Sequence, residues 1–278
     1  AHFLGVEVAI VPKSEIDDRR WVWHVGLDAQ ASALLNDLYN RVDVDEARLA
    51  GATERIGDGR CEGVRCDVTD EGDVRDAFLH AAESFGGVDV VVVNAGVARV
   101  GALADLELED FEAAVDVNLK GAFLTLREAL FQLRRQATGG NIVLISTKNV
   151  FAPGIEFGAF DGQVGQQAYS ASKAGAHQLG RVAALEGAAI GVRVNLVNAD
   201  AVFGEAENRS GLWQEVGPGR AAARGIAPEE LEEFYRNRNL LKARVTAEHV
   251  GRAVVFFACQ ETPTTGAVLP VDGGLPDA

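Results

Sequence analysis

Short apolar runs alternate along the chain with longer segments in which apolar residues recur at the helical period. The clearest run is Val90–Val93, four β-branched residues in succession. A strand that is apolar on both faces belongs in the middle of a parallel sheet covered by helices. Similar runs predict further strands at residues 5–12, 63–66, 141–145, 193–198 and 267–271, and a short strand or turn at 41–45.

Segments with helical periodicity lie between these runs, at residues 28–40, 46–56, 71–85, 108–134, 169–188, 227–240 and 246–259. Strands that alternate with helices of about 12 to 20 residues predict an α/β fold, here a Rossmann-type doubly wound parallel sheet with helices on both faces. We predict one domain over residues 1–278, with a divergent segment at 1–41 and a substrate flap at about 200–240. Right-handed crossovers place the strand carboxyl ends along one edge, where ligands bind.

Charge and composition narrow the classes of partner. A net charge of −15 and a pI of about 4.8 argue against binding to nucleic acid or to an anionic membrane surface. No apolar run approaches the ~20 residues that span a bilayer. The first residues also lack the basic and apolar regions of a signal peptide. We therefore expect a cytoplasmic protein with a small-molecule substrate and no nucleic-acid or membrane partner.

Cysteine and methionine usage adds two expectations. The 3 cysteines form no Cys-x-x-Cys pair and the 5 histidines are scattered, so we predict no metal site and a reducing compartment. The chain contains no methionine, even at position 1. We therefore expect a processed or excised piece of a longer protein, or a sequence from which residues are missing.

The main candidate for chemistry is Tyr169, which precedes Lys173 by four residues. On a helix this spacing places a phenol and an ammonium on the same face. A tyrosine ionises near pH 10, too high for a general base at neutral pH, and a nearby ammonium favours the phenolate. The spacing is common by chance, so its meaning depends on the motifs around it.

Six motifs, taken in order along the chain, resemble those of the short-chain dehydrogenase/reductase family. They are Asp67-Val68-Thr69-Asp70, Asn94-Ala95-Gly96, Asn118, Ser146-Thr147, Tyr169 with Lys173, and Asp272-Gly273-Gly274. Jointly they are specific, although none is specific alone, and they cover residues of about 42 to 275. The resemblance implies an oxidoreductase that moves a hydride between a nicotinamide and a carbonyl or secondary alcohol.

The resemblance also implies the catalytic roles. Tyr169 is the general base, and Lys173 lowers its pKa and holds the nicotinamide ribose. Thr147, with Ser146 as the fallback, binds the substrate oxygen through a hydroxyl that both donates and accepts. Asn118 holds a water that links Lys173 to solvent. Asn is unfavourable inside a helix because its side chain competes for backbone hydrogen bonds, which makes Asn118 conspicuous there.

A second group of residues is predicted to bind the cofactor. Gly96, where a buried strand ends, allows the backbone to approach a flat ligand. By resemblance the adenosine side is lined by Asn94, Ala95 and Gly96, with Asp67 and Val68 flanking the adenine; Ala199, Val202, Tyr169 and Lys173 complete the set. A carboxylate after the second strand accepts hydrogen bonds from both ribose hydroxyls and repels a 2′-phosphate, which favours NAD over NADP. Asp43 is the first candidate and Asp45 the second, although either can simply cap a helix.

The phosphate-binding loop departs from the family pattern. The family has Thr-Gly-x-x-x-Gly-x-Gly after the first strand, where backbone amides and a helix N-terminus meet the pyrophosphate. Here that strand continues into Pro12-Lys13-Ser14-Glu15 without a glycine cluster. A divergent loop, missing residues and loss of cofactor binding all explain this. The last of these supports an alternative function, a non-catalytic binding or scaffold module.

The remaining expectations concern the substrate. Residues near 155–165 lengthen the loop before Tyr169, as either a lid or a surface insertion, and Asp200 offers a charge to a polar or cationic partner. A narrower resemblance, carried by residues 146–149, 198–202 and 225–231, is to the dehydrogenase module of bifunctional rhamnulose-phosphate aldolase/lactaldehyde dehydrogenases. It implies a hydroxy-aldehyde, polyol or sugar derivative as substrate. The family resemblance implies a homodimer or homotetramer.

Overall fold

The structure is a computed structural model and describes residues 63–99, 103–151, 167–205, 208–259 and 262–274. The elements predicted at 5–12, 28–40, 41–45 and 46–56 lie outside the described residues. Among the described residues, four parallel strands form a sheet in the order β1-β2-β3-β6. These strands are β1 (Val90–Val93), β2 (Gly140–Thr147), β3 (Val192–Ala199) and β6 (Val268–Val271). A separate antiparallel pair is formed by β4 (Gly204–Glu205) and β5 (Asn208–Arg209).

Seven α-helices accompany these strands in the described part of the chain. They are α1 (Glu71–Phe85), α2 (Leu108–Val115), α3 (Ala122–Gln136), α4 (Gln167–Ala188), α5 (Gly211–Arg224), α6 (Leu231–Arg238) and α7 (Ala247–Ala258). A π-helical turn, Asp116–Gly121, joins α2 to α3. Two 3-10 turns, Lys148–Val150 and Pro228–Glu230, precede α4 and α6. None of the helices in these ranges is long and apolar enough to cross a membrane.

Strand β2 shows why helices cover both faces of the sheet, because all of its residues are buried. Ile142 and Leu144 pack in the core cluster that includes residues of α1, α3 and α4. Val143 and Ile145 pack in a second cluster with residues of α7. Successive residues of a strand point to opposite faces, so each apolar run supplies both cores. This confirms the predicted α/β fold with a parallel sheet between helices.

Helix α1 shows how local sequence sets element boundaries. The side chain of Asp70 accepts a hydrogen bond from the backbone N–H of Asp73 at 2.9 Å and caps the first turn. Gly86, at φ 79°, ends the helix in the left-handed conformation that glycine adopts without strain. The predicted range 71–85 is confirmed.

Two predictions about elements need correction. Residues 63–66 are not a strand: Cys66 is buried, but no described strand pairs with this segment. The predicted helix 108–134 is interrupted by the π turn. In addition, the segment predicted as a substrate flap contains β4, β5, α5 and α6.

Helix α5 was not predicted from the sequence. The reason is that Gly217-Pro218-Gly219 lies in its interior, and glycine and proline both disfavour helix formation there. Packing outweighs this preference, since Ala221 is buried in a cluster with Phe203, Leu231 and Tyr235. The Ser210 side chain caps the start by accepting from the Trp213 N–H, and Gly225 at φ 64° ends the helix. The predicted flap is therefore a folded layer built around α5 and α6.

Candidate active site

The predicted catalytic residues come from three elements that meet at the carboxyl edge of the sheet. Thr147 is the last residue of β2, Asn118 lies in the π turn, and Tyr169 and Lys173 lie in the first turns of α4. Tyr169, Lys173 and His177 follow one another at four-residue intervals, so they share one face of α4. Lys173 and His177 are buried, and Tyr169 is partly exposed. The structure thus brings a phenol, an ammonium and a hydroxyl to one place.

The adjacent residues Ser146 and Thr147 have different partners. The Thr147 hydroxyl accepts a hydrogen bond from the Asn149 backbone N–H at 3.3 Å, and its side chain also interacts with Tyr169, whose pKa it lowers. The Ser146 hydroxyl lies instead 3.1 Å from Nδ1 of His177, in the interior. Of the two candidates for the substrate oxygen, the structure therefore places Thr147 beside Tyr169 and Ser146 away from it.

Burial and two neighbouring side chains set the electrostatics of Tyr169. Burial raises its pKa, while the side chain of Thr147 and, less strongly, the positive charge of Arg220 on α5 act in the opposite direction. Nζ of Lys173 donates a hydrogen bond to the carbonyl oxygen of Ile145 at 3.3 Å. The predicted effect of Lys173 on the pKa of Tyr169 stays a prediction.

Lys173 occupies a buried position that lowers its pKa to about 8. With this pKa, about nine in ten of the side chains still carry a proton at pH 7. A Cβ added to Gly96 would lie 3.0 Å from Nζ of Lys173 and 3.2 Å from Oδ1 of Asn118. The strand-end glycine therefore lets the backbone approach the two polar side chains closely.

The Asn118 side chain forms two hydrogen bonds with the backbone of Val97, one as acceptor and one as donor. Its Oδ1 accepts from the Val97 N–H at 2.8 Å, and its Nδ2 donates to the Val97 carbonyl at 2.9 Å. Nδ2 also donates to the Ser172 hydroxyl at 3.0 Å, which connects the π turn to α4. π turns occur frequently at functional sites, and this one carries a predicted catalytic residue. The predicted role in holding a water stays a prediction.

The residues predicted for the adenosine side form a small cluster of their own. Val68 packs with Val97, Val117 and Ala95, and a Cβ added to Gly121 would lie 2.9 Å from Val68 Cγ2. The Asp67 carboxylate accepts from the backbone N–H and hydroxyl of Thr69 at 2.9 and 2.8 Å, so it stabilises the turn before α1. Asn94 lies directly after β1 and is partly exposed. Asp43 and Asp45 lie outside the described residues.

Ala199 and Val202, also predicted to bind the cofactor, have buried side chains in the core cluster under α7, with exposed fractions of 1% and 0%. Ala199 is the last residue of β3 and pairs with Thr147, the last residue of β2, at the carboxyl edge of the sheet. The predicted roles of both residues in binding the cofactor stay predictions.

Asp200, predicted to face a polar or cationic ligand, contacts cations of the protein itself. Its Oδ1 accepts a hydrogen bond from Nη2 of Arg238 and lies 3.7 Å from Nζ of Lys148. The Arg238 side chain, at the end of α6, is only 14% exposed. The sequence contains a signal for this burial, because the helical spacing of Leu231, Tyr235 and Arg238 places all three on one face of α6.

The described part of the site fits the nicotinamide end of a dinucleotide. The observations are the close approach of Gly96 to Lys173, the buried ammonium, and the hydroxyl pair of Thr147 and Tyr169. Residues 1–62, which include the predicted phosphate loop, lie outside the described residues. The fit therefore concerns the chemical end of the site.

The fold and this arrangement of side chains define the class of Rossmann-type oxidoreductases. A family model described as Enoyl-(Acyl carrier protein) reductase matches residues 34–276, and a second, described as a family of unknown function (DUF6352), matches residues 1–53. The chain belongs to the short-chain dehydrogenase/reductase family, whose members bind a nicotinamide dinucleotide.

Individual relatives agree with this assignment. The uncharacterized oxidoreductase YuxG of Bacillus subtilis is 38% identical over 233 residues, which are 83% of this chain but only 32% of YuxG. The (-)-isopiperitenol/(-)-carveol dehydrogenase of Mentha piperita is 34% identical and covers 84% of this chain and 81% of its own. The crystal structure of sorbitol-6-phosphate 2-dehydrogenase SrlD from Erwinia amylovora is 28% identical, with a TM-score of 0.75 over 90% of this chain and 96% of SrlD.

Proposed function

We propose that the chain is an NAD-dependent oxidoreductase that interconverts a secondary alcohol and a carbonyl on a small hydroxy-aldehyde, polyol or sugar derivative. The observation that carries the proposal is that the buried ammonium of Lys173 and the amide of Asn118 close on the strand end at Gly96, with Tyr169 one turn before Lys173 on α4 and Thr147 acting on the pKa of Tyr169. A general base must lie within hydrogen-bond reach of the proton that it removes. A substrate hydroxyl that replaces the contact between Thr147 and Tyr169 meets both side chains at once.

The protein residues divide the work of alcohol oxidation. Thr147 holds the substrate oxygen, and Tyr169 removes the hydroxyl proton as that oxygen becomes a carbonyl. The charges of Arg220 and of a protonated Lys173 favour the phenolate form of Tyr169 while it acts as a base. Asn118 fixes the backbone at Val97, and with it the strand end at Gly96. Lys173 and the backbone around Gly96 would hold a nicotinamide dinucleotide, which would supply the hydride acceptor.

The choice of NAD rests on the sequence, where Asp43 is the candidate carboxylate for the ribose hydroxyls. A carboxylate at that position repels the 2′-phosphate of NADP. Replacing Asp43 by Asn should therefore narrow the preference between the two dinucleotides. Asp45→Asn tests the second candidate in the same way, and the substitution that narrows the preference identifies the carboxylate that faces the ribose.

The proposed substrate class has two supports. The structural relative SrlD is named as a dehydrogenase of sorbitol 6-phosphate, a polyol derivative. The narrower resemblance to lactaldehyde dehydrogenase modules favours a small hydroxy-aldehyde. In both substrates, the carbon that bears the hydroxyl is bonded to a second carbon that also bears oxygen. Such a hydroxyl matches a site lined by Thr147 and Tyr169.

We also propose a homo-oligomer, because large apolar side chains lie on the described surface of the helices. Phe123 and Phe131 on α3 and Phe256 on α7 have exposed fractions of 43%, 42% and 53%. Covering such side chains in a symmetric interface removes apolar area from water. Light scattering on the purified protein should give twice or four times the mass of one chain, and a monomer would contradict the proposal.

The test of the function is a titration with NAD and NADP, followed by melting temperature and tryptophan fluorescence. NAD is expected to shift both signals, and Tyr169→Phe should bind NAD as the wild type does. The same variant should lose about 100- to 10,000-fold in turnover of an accepted alcohol, the usual size of general base catalysis. If neither dinucleotide shifts either signal at millimolar concentration, the protein is not a dehydrogenase.

A further inference from the structure

Three parallel strands end in register at the carboxyl edge of the sheet. Thr147 of β2 pairs with Ala199 of β3, and Ala199 pairs with Val271 of β6. The next residues of the first two strands are Lys148 and Asp200, and the backbone N–H of Asp200 donates to the Val271 carbonyl at 3.1 Å. Asp200 therefore follows the middle strand, beside the strand end that carries Thr147.

A single oxygen of Asp200 contacts two neighbouring elements. Oδ1 accepts a hydrogen bond from Nη2 of Arg238, the last residue of α6, and lies 3.7 Å from Nζ of Lys148, which directly follows Thr147. The Asp200 side chain is 4% exposed. Both cations have further interactions, so Asp200 shares them with other parts of the protein. Asp200 nevertheless connects two elements, because the same oxygen reaches the end of β2 and the end of α6.

The chain that follows α6 is fixed to the residues that follow β6. The backbone N–H groups of Leu240 and Leu241 donate to the carbonyl oxygens of Gly274 and Gly273, at 2.8 and 3.0 Å. A Cβ added to Gly273 would lie 2.5 Å from Cγ of Asn239, so these two residues approach closely. The end of α6 is therefore attached to the carboxyl edge of the sheet at two neighbouring strands, β3 and β6.

We propose that Asp200 is a positioning residue that holds Thr147 and the end of α6 in one fixed arrangement. Its contact with Lys148 acts on the residue next to Thr147, and its contact with Arg238 acts on the helix. The inference rests on the proposed dehydrogenase function, in which Thr147 binds the substrate oxygen. Asp200 acts through Thr147 and takes no part in the transfer of the proton or the hydride.

The Thr147 hydroxyl depends on its surroundings for its position. The backbone N–H of Asn149 donates to this hydroxyl at 3.3 Å, so the hydroxyl is part of the turn that contains Lys148. A displacement of about 1 Å in a group that positions a substrate can cost about 100-fold in rate. Asp200 restrains the turn from the neighbouring strand, and this restraint keeps the hydroxyl in place.

Amide hydrogen exchange tests the connection without requiring catalysis. The Asn149 N–H reports on the Thr147 hydroxyl that it contacts, and the Leu240 N–H reports on the end of α6. Asp200→Asn should accelerate exchange at both amides about 5- to 30-fold, the change expected when a local contact of ordinary strength is lost. Exchange at Ile142, in the middle of β2, should change less, which separates a local effect from a general loss of stability.

A second variant tests the connection from α6 and leaves Asp200 itself in place. Arg238→Gln should also accelerate exchange at Asn149, because Asp200 loses the partner that fixes its side chain. This variant decides the question if Asp200→Asn does not fold. Arg236→Gln is the matched control, since Arg236 lies exposed on the same helix and should leave exchange at Asn149 unchanged.

Kinetics show whether Asp200 acts through Thr147. The probe is the oxidation of sorbitol 6-phosphate or of sorbitol by NAD. Asp200→Asn should lower kcat/KM about 10- to 100-fold in the wild-type background. The same substitution should have little effect in Thr147→Val, where the hydroxyl that Asp200 positions is already absent. A smaller folded fraction would instead lower kcat/KM equally in both backgrounds.

Two results would overturn the inference. The first is exchange at Asn149 that stays unchanged in both Asp200→Asn and Arg238→Gln. The second is an equal loss of kcat/KM in the wild-type and Thr147→Val backgrounds. If neither polyol is oxidised, exchange alone decides. Failure of the dehydrogenase function is seen separately, as the absence of dinucleotide binding.

Discussion

The hydroxyl of Ser146 and Nδ1 of His177 lie 3.1 Å apart in the interior, one residue along β2 from the hydroxyl that contacts Tyr169. Burial and, to a smaller extent, the charge of Arg181 lower the pKa of His177, so its imidazole is neutral at pH 7. The neighbouring hydroxyls of Ser146 and Thr147 therefore have different roles. The Ser146 hydroxyl pairs with the neutral His177 in the interior, and the Thr147 hydroxyl belongs to the candidate active site.

This division predicts opposite outcomes for two substitutions. Thr147→Val keeps the side-chain shape but removes the hydroxyl, and kcat/KM should fall by about 100-fold or more, as for loss of a group that binds a reacting oxygen. Thr147→Ser is the control and should retain activity. Ser146→Ala should keep turnover within a few-fold but lower the free energy of unfolding by about 1–3 kcal/mol, because His177 loses its partner. The reverse pattern would assign the substrate oxygen to Ser146.

Replacing Gly96 by alanine should weaken NAD binding more than it lowers the free energy of unfolding. The added Cβ of Gly96→Ala would lie 3.0 Å from Nζ of Lys173, the end of a flexible side chain that can move. We expect the dissociation constant for NAD to rise about 10-fold, with a change in unfolding free energy of less than about 1 kcal/mol. Titration and urea denaturation measure the two quantities.

Gly219→Ala is the matched control for Gly96. Gly219 lies inside α5, and an added Cβ would meet no atom within 4 Å. Alanine is favoured over glycine in a helix interior by about 1 kcal/mol, so this variant should be slightly more stable and bind NAD normally. Equal NAD affinity in both variants would show that Gly96 is not part of the binding edge.

Removing the Asn118 side chain should release the backbone at Val97. Asn118→Ala leaves a buried N–H and a buried carbonyl without their partners, which costs about 1–3 kcal/mol for each group. Amide hydrogen exchange at Val97 should accelerate accordingly. Asn118→Asp retains an acceptor for the Val97 N–H, so it should protect that amide better than alanine does. Unchanged protection in Asn118→Ala would contradict the described clamp.

The pKa of Lys173 predicts a rise in stability with pH. The folded protein releases this proton near pH 8, whereas the unfolded chain holds it to about pH 10.4. Between these values the unfolded state binds more protons, so the free energy of unfolding increases with pH, by at most about 1.4 kcal/mol per unit. The useful window is pH 8 to about 9.5, below the ionisation of tyrosine.

Two variants isolate this effect by urea denaturation across the window. Lys173→Met should remove the contribution, so the gap between wild type and variant should change with pH. Lys120→Met is the control, because Lys120 lies exposed on the π turn beside Asp116 and should leave the pH profile unchanged. Parallel profiles for wild type and Lys173→Met would show that the ammonium is not desolvated.

The sequence predicted the scaffold well because its signals are local. Val90–Val93, the cap at Asp70 and the four-residue spacing of Tyr169 and Lys173 each act within a few residues, and the structure has the corresponding strand, helix start and shared face. Because successive residues of a strand point to opposite faces, the sequence also indicated that Thr147, and not Ser146, is the first candidate for binding the substrate oxygen. What failed depends on tertiary packing, as at α5, where burial of Ala221 outweighs an interior Pro218.

Charges were harder to place than elements. Helical spacing predicts that Lys173 acts on Tyr169, and the structure adds a second cation, Arg220, whose charge lowers the pKa of Tyr169. Arg220 lies 51 residues after Tyr169 in the sequence, on a helix that was not predicted. No local pattern connects the two, so only the fold of the flap shows their relation.

The π turn Asp116–Gly121 has a consequence for how this chain can vary. A π turn contains one more residue than a regular helical turn of the same length. The side-chain positions of α3 are therefore rotated about the helix axis relative to those of α2. Both Asn118, which contacts Val97, and Gly121, which lies against Val68, belong to this turn. Deleting one residue here would restore a regular helix and turn one half by about 100° against the other. We therefore expect this segment to tolerate exchange of exposed side chains but not a change in the number of residues, which would shift Asn118 against Val97 and Gly121 against Val68.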